Sequence, residues 1–280
     1  MLDKTPWESS AWSDVSEQAH FVNVTPEIAQ KILDASNHGN RKIRPSVVNK
    51  YARMMSAGDW RFSPETISFS KSGRMLNGQH RFLAIIKSGI TCRFLFATGF
   101  DEDVFQVLDR GAKRSRADAL NIDSKSAEVG SLLATIAGSI HGETSPSDFD
   151  VKRARDCISE VHDELIEFCG TTAKIFSSAA FRLACVARVM GGADHGRAFS
   201  LYRDLVLKHT QSLPPVGHAA IRMFMSGRLI TGGGRHQTRY NLCVAWDIFN
   251  PNSANKSRIV GQVKIEEIRK IVEVTGYAAP

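Results

Sequence analysis

Strand signals stop near Asp109: strands and helices alternate before it, and from Arg116 to about Gly227 no convincing strand follows. Before that point, Phe21-Val22-Asn23-Val24, Thr66-Ile67-Ser68-Phe69, Met75-Leu76 and Thr91 to Phe96 read as short strands bounded by turn residues. Thr25 caps a first helix, with Pro26 at its first position and Ala29, Ile32 and Leu33 on its buried face. Ser46 to Ala57 reads as a second helix, with Val47, Tyr51 and Met54 or Met55 inward and Gly58 as its stop. Asp101 caps a further helix through Leu108. From Arg116 to about Gly227, apolar residues recur at helical spacing in 124–140, 148–168, 176–190, 196–210 and 216–226. The breaks fall at 141–146, Gly170, Gly191-Gly192 and Leu213-Pro214-Pro215, and a last short helix covers 264–272. The expected fold is α+β. A polar arm (1–20) carrying Trp7 and Trp12 precedes a small mixed-sheet domain (21–115), and an all-helical domain (116–280) follows.

Within the first domain, Arg74-Met75-Leu76-Asn77-Gly78-Gln79-His80-Arg81-Phe82-Leu83 compresses a strand, a tight turn and a helix start. The first N–H groups of a helix have no intrahelical partner and sit at the positive end of its dipole. Gly78 has no Cβ, so an anion can approach the backbone, and Asn77, Gln79, His80 and Arg81 add side-chain donors. This is the outline of a phosphate site. An ordinary strand-to-helix connection with solvated polar residues has the same letters.

Asn77-Gly78-Gln79-His80-Arg81 resembles the Asp/Asn-Gly-x-His-Arg signature of the ParB/sulfiredoxin-like superfamily. That superfamily includes partition proteins, sulfiredoxins, a free-serine kinase and DGQHR-type DNA-modification proteins. The order of landmarks is similar to ParB-like proteins of phages and prophages: Asn40-Arg41, Gly58-Asp59-Trp60, Gly78 to Arg81, then Leu108-Asp109-Arg110-Gly111 through Arg114. The resemblance implies a sulfiredoxin-like fold over about Phe21 to Leu120 and a turn that holds nucleotide or DNA phosphates. It implies a role in DNA metabolism or modification, with ATP or CTP and Mg²⁺ as the expected cofactors, and the cytoplasm, that of a bacterial host if phage-encoded, as the expected compartment.

Two carboxylates, Glu65 and Asp109, flank elements expected to meet the turn. With His80 they are the candidate catalytic residues of a kinase-like or NTP-hydrolysing enzyme, since phosphoryl transfer needs a base or metal ligand beside the neutralised phosphates. The alternative is a non-catalytic DNA-binding module. Partition proteins carry a doubled arginine after the glycine, where this chain has Gln79-His80. A ParB-like nuclease is a third reading, disfavoured because no carboxylates cluster in the sequence. Sulfiredoxin chemistry needs a cysteine where Gln79 stands.

The net charge of +7 and pI of about 9.3 favour polyanionic partners, DNA first. Arg41, Lys42 and Arg44 form a basic turn, Lys152, Arg153 and Arg155 lie within one helical turn, and Arg235 and Arg239 follow the triple glycine 232–234. The first two groups read either as nucleic-acid contacts or as solvated surface, the third either as an anion-binding loop or as a flexible loop before a core helix, and Ser178 to Arg203 is the best helix-turn-helix candidate. The five cysteines show no metal-ligand spacing and read as reduced core residues, so no metal site of the protein's own is expected. No apolar run reaches the roughly eighteen residues of a membrane span.

Overall fold

The computed structural model describes residues 17–40, 42–106, 115–142, 145–169 and 175–279. The chain divides into two compact units, Met1–Lys113 and Arg114–Pro280. Trp7, Trp12, Arg41 and the Leu108–Arg114 element, Asp109 included, lie outside the described residues.

The first unit runs β1 (Gln18–Val24), α1 (Pro26–Ser36), α2 (Pro45–Ser56), β2 (Thr66–Ser70), β3 (Met75–Asn77), α3 (Gln79–Ser88) and β4 (Cys92–Phe100), closing on a 3-10 turn over Glu102–Gln106. The four strands form one mixed sheet in the order β1-β4-β2-β3. β1 and β3 are antiparallel to their neighbours, while β2 and β4 run parallel. Parallel neighbours need a crossover, and β3 with α3 provides it. Ile67, Phe69, Phe94 and Phe96 of the sheet pack with Ala29, Ile32, Val48, Ala52, Met55, Phe82 and Ile85 of the helices.

Local chemistry explains most of these elements. Thr25 Oγ1 accepts the N–H of Ile28 at 3.3 Å, with Pro26 in the first turn of α1. Gly89 ends α3 in the left-handed region at φ 71°. Two expectations change. The buried face of α2 is Val48, Ala52 and Met55, one residue on from the Val47–Tyr51 stripe. Tyr51 sits at the margin of that face, edge-on to Trp60 at 5.3 Å, so that small Ala52 occupies the tight centre. β1 begins at Gln18, inside the stretch expected to be an arm, because Gln18, Ala19 and His20 pair with Thr98, Ala97 and Phe96 of β4.

The second unit contains α4 (Arg116–Leu120), α5 (Ser124–Ile140), α6 (Asp148–Cys169), α7 (Ala179–Met190), α8 (His195–Leu207), α9 (Pro215–Met225), α10 (Gly234–Ile248) and α11 (Ile265–Val274), and no strand among its described residues. The protein is therefore α+β, a small sheet region followed by helices. α7 is the hub: every residue from Ala180 to Ala187 is buried, and α5, α6, α8, α10 and α11 all touch it. Its Arg182 is wholly buried, donating to the carbonyls of Ser177 and Lys125 and to Glu128 Oε2 at 2.8 Å. Arg188 stacks over the Trp246 ring at 3.4 Å and donates to the Trp246 carbonyl; burial pulls its pKa down to about 10. Asp123 and Asp194 cap α5 and α8. Of the cysteines expected in the core, Cys157 is exposed, because α6 buries the stripe of Ala154, Ile158 and Leu165 and turns position 157 outward.

Candidate functional site

The turn between β3 and α3 can be built only with glycine. Gly78 has φ 129° and ψ −12°, and a Cβ there would come within 2.8 Å of Ile67 Cδ1 and 3.0 Å of its Cγ2. The turn is thus pressed onto β2. Gln79, His80 and Arg81 then open α3 with exposures of 5%, 6% and 8%, so the polar side chains of the motif point into the protein.

His80 and Arg81 do identifiable work there. His80 Nε2 accepts the backbone N–H of Arg44 at 3.0 Å, at the start of α2. That bond places the proton of a neutral ring on Nδ1. Arg81 donates to the carbonyls of Glu65 at 3.2 Å and Thr66 at 2.9 Å, tying α3 to the first residue of β2. Asn77 Nδ2 reaches the Thr66 carbonyl at 3.4 Å.

A second set of bonds holds the loop between α1 and α2 to the same place. Asn40 Nδ2 donates to the Met75 carbonyl at 2.9 Å and to Asn37 Oδ1 at 2.8 Å. Arg74 donates to the carbonyls of His38 and Gly39 at 3.1 and 2.8 Å and pairs with Glu102 at 3.2 Å. The loop bearing exposed Lys42 and Arg44 is therefore stitched to β3 and to the start of α3. Arg74 is a functional residue that the sequence marks only by its place, immediately before β3.

The structure thus brings together the Gly78 turn, the first amides of α3, the loop with Lys42 and Arg44, and exposed Glu65. His80 has a positioning role in this geometry, since the lone pair a general base needs is engaged by the Arg44 amide. Arg81 is likewise committed to carbonyls. What remains exposed beside the turn is the pair of cations Lys42 and Arg44, which suits a phosphate.

The α6 cations are placed differently. Lys152 pairs with Asp156 at 2.6 Å, Arg153 with Asp150 at 2.9 Å, and Arg155 with Asp163 at 2.9 Å. Their charge is balanced along the helix. Ser178 to Arg203 does fold as two helices around a turn, but the first is the buried hub α7. Arg235 is exposed in the first turn of α10, with Arg239 one turn on. Among the described residues, no group of three His, Cys, Asp or Glu is placed to hold a metal ion. Mg²⁺ arriving with a nucleotide needs fewer protein ligands, one or two carboxylates being usual, and Glu65 fits as one. No helix among the described residues is long and apolar enough to cross a membrane.

No protein-family model, curated protein or solved structure matches the chain.

Proposed function

We propose that the first unit is a ParB/sulfiredoxin-like phosphate-binding module that takes a nucleotide or DNA phosphate at the Asn77–Arg81 turn and serves DNA metabolism or modification. The observation that carries the reading is the 3.0 Å bond from the Arg44 amide to His80 Nε2. It fixes a cationic loop beside a helix N-terminus, so two sources of positive potential face one approach. Burial of Gln79, His80 and Arg81 supports binding through the exposed cations of the loop rather than through the motif's own side chains. The test is calorimetric titration of ATP and CTP, with and without Mg²⁺, into the full chain and into the double variant Lys42→Ala, Arg44→Ala. The variant should retain its fold and lose most of the affinity; equal affinity in both proteins rejects the reading.

A second reading, a phosphotransferase or NTPase, is favoured by one contact. Arg81 holds the Glu65 carbonyl at 3.2 Å, which leaves the exposed Glu65 carboxylate at the same end of the sheet as the turn. Mg²⁺ arriving with the nucleotide would supply charge neutralisation at the phosphates. Glu65 would hold it, or would accept the proton of an attacking hydroxyl.

A further inference from the structure

From Leu205 to Trp246 the chain has no aspartate or glutamate, although 29 acidic residues stand in the whole sequence. Arg222, Arg228, Arg235 and Arg239 all lie in this stretch, which forms α9, a connecting loop and α10. Among the described residues, none of these four arginines makes an ion pair with a carboxylate. On α6, by contrast, every cation of the Lys152–Arg155 cluster has an acidic partner.

The loop that carries Arg228 is held in shape. Leu229 is fully buried, Gln237 donates to the Arg228 carbonyl at 3.2 Å, and buried Asn241 donates to the Ile230 carbonyl at 2.9 Å. Yet Met225 is 79% exposed, with Phe224 and Ile230 also open to solvent. Large apolar side chains displayed on an anchored hairpin mark an interaction surface. Its partner has to offer many negative charges and an apolar surface between them. A nucleic-acid duplex does so: phosphates line its rims, and sugars and base edges line its grooves, where Met and Ile are known as wedging side chains.

We propose that the α9–α10 hairpin binds double-stranded DNA, with Arg228, Arg235 and Arg239 on phosphates and Met225 and Ile230 against the groove. This rests on the DNA part of the function proposed above and makes no use of the Gly78 turn. The measurement is fluorescence anisotropy of a labelled duplex with the full chain, at several salt concentrations. Wild type should bind, with log affinity falling linearly against log salt. Arg228→Gln, Arg235→Gln and Arg239→Gln together should reduce that slope by about 0.9 for each lost phosphate contact, and the affinity by roughly tenfold per arginine near 0.1 M salt. Met225→Ser should weaken binding and leave the slope unchanged. Lys152→Gln should change neither. Circular dichroism checks that each variant is folded.

The proposal is overturned if wild type does not bind the duplex, if the triple variant binds like wild type, or if vesicles of anionic lipid are bound in preference to DNA. Parallel titration of Lys42→Ala, Arg44→Ala separates the two proposals. Duplex affinity lost in that variant and kept in the hairpin variant would reject the hairpin and leave the turn standing. The opposite pattern supports the hairpin whatever the nucleotide titrations give.

Discussion

The ring of His80 and the backbone N–H of Arg44 lie 36 residues apart in sequence and 3.0 Å apart in space. The bond joins the start of α3 to the start of α2 and, with the bonds of Asn40 and Arg74, positions the cationic loop. His80→Leu should leave the Arg44 amide without its acceptor, at a cost of about 1–3 kcal/mol. Nucleotide affinity should fall although no group that meets the phosphate has been removed. His80→Gln, whose Oε1 can act as acceptor, should recover part of both losses. Urea unfolding and calorimetric titration of the two variants check this.

Gly78→Ala forces a Cβ against Ile67 in a backbone region that side chains rarely adopt. The substitution should destabilise the protein by about 2–4 kcal/mol. Gly58, also at positive φ but with nothing within 4 Å of a built Cβ, should tolerate alanine better. Comparing the two urea midpoints separates the close approach from backbone strain alone.

Glu65→Gln decides between the two readings of the turn. In an enzyme, nucleotide turnover should fall by at least about a hundredfold, the usual range for removing a positioned acid or base. In a binding module, nucleotide affinity and any background turnover should match wild type. A phosphate-release assay on purified protein, with and without DNA, gives the answer.

His162 makes a pH prediction for the second unit. It is 2% exposed, its Nε2 has no hydrogen-bond partner among the described residues, and Nδ1 lies 3.5 Å from Asp163. Burial, then the nearby Arg182 guanidinium, lowers its pKa from the ordinary 6.5. The unfolded chain therefore takes up a proton before the folded one does. The stability that neutral His162 contributes is present above about pH 6.5 and is lost as pH falls through the folded pKa. His162→Gln should flatten this part of the profile. Urea midpoints of wild type and variant at pH 7.5 and pH 5 measure the difference.

Elements whose signals are local were legible in the sequence. Thr25, Pro26 and Gly89 mark helix ends by their own backbone preferences, and the helices of the second unit follow the 3.6-residue period closely. Contacts made across sequence distance were not. The three added residues of β1 are set by pairing with β4, and the rotation of α2 by the Tyr51–Trp60 contact. At the candidate site the letters Gly-Gln-His-Arg marked the place but not the direction of the side chains. The inward turn of His80 and Arg81 follows from the Arg44 amide donor and from carbonyl acceptors on Glu65 and Thr66, none of which the motif contains. The balance of the α6 cations was legible in principle, because Asp156 stands four residues after Lys152 and Asp150 three before Arg153.

The sheet order has a consequence for how the first unit comes into being. Among the described residues β1 is the first strand made and pairs with β4 alone, the last. During synthesis it has no neighbour until residues 92–100 have left the ribosome, so the sheet cannot assemble piecemeal from its N-terminal end. Fragments ending before Cys92 would leave β1 without its ladder and β2 without its parallel neighbour. Expression of progressively longer nascent chains should therefore show protease resistance arriving in one step, once β4 is out, rather than helix by helix.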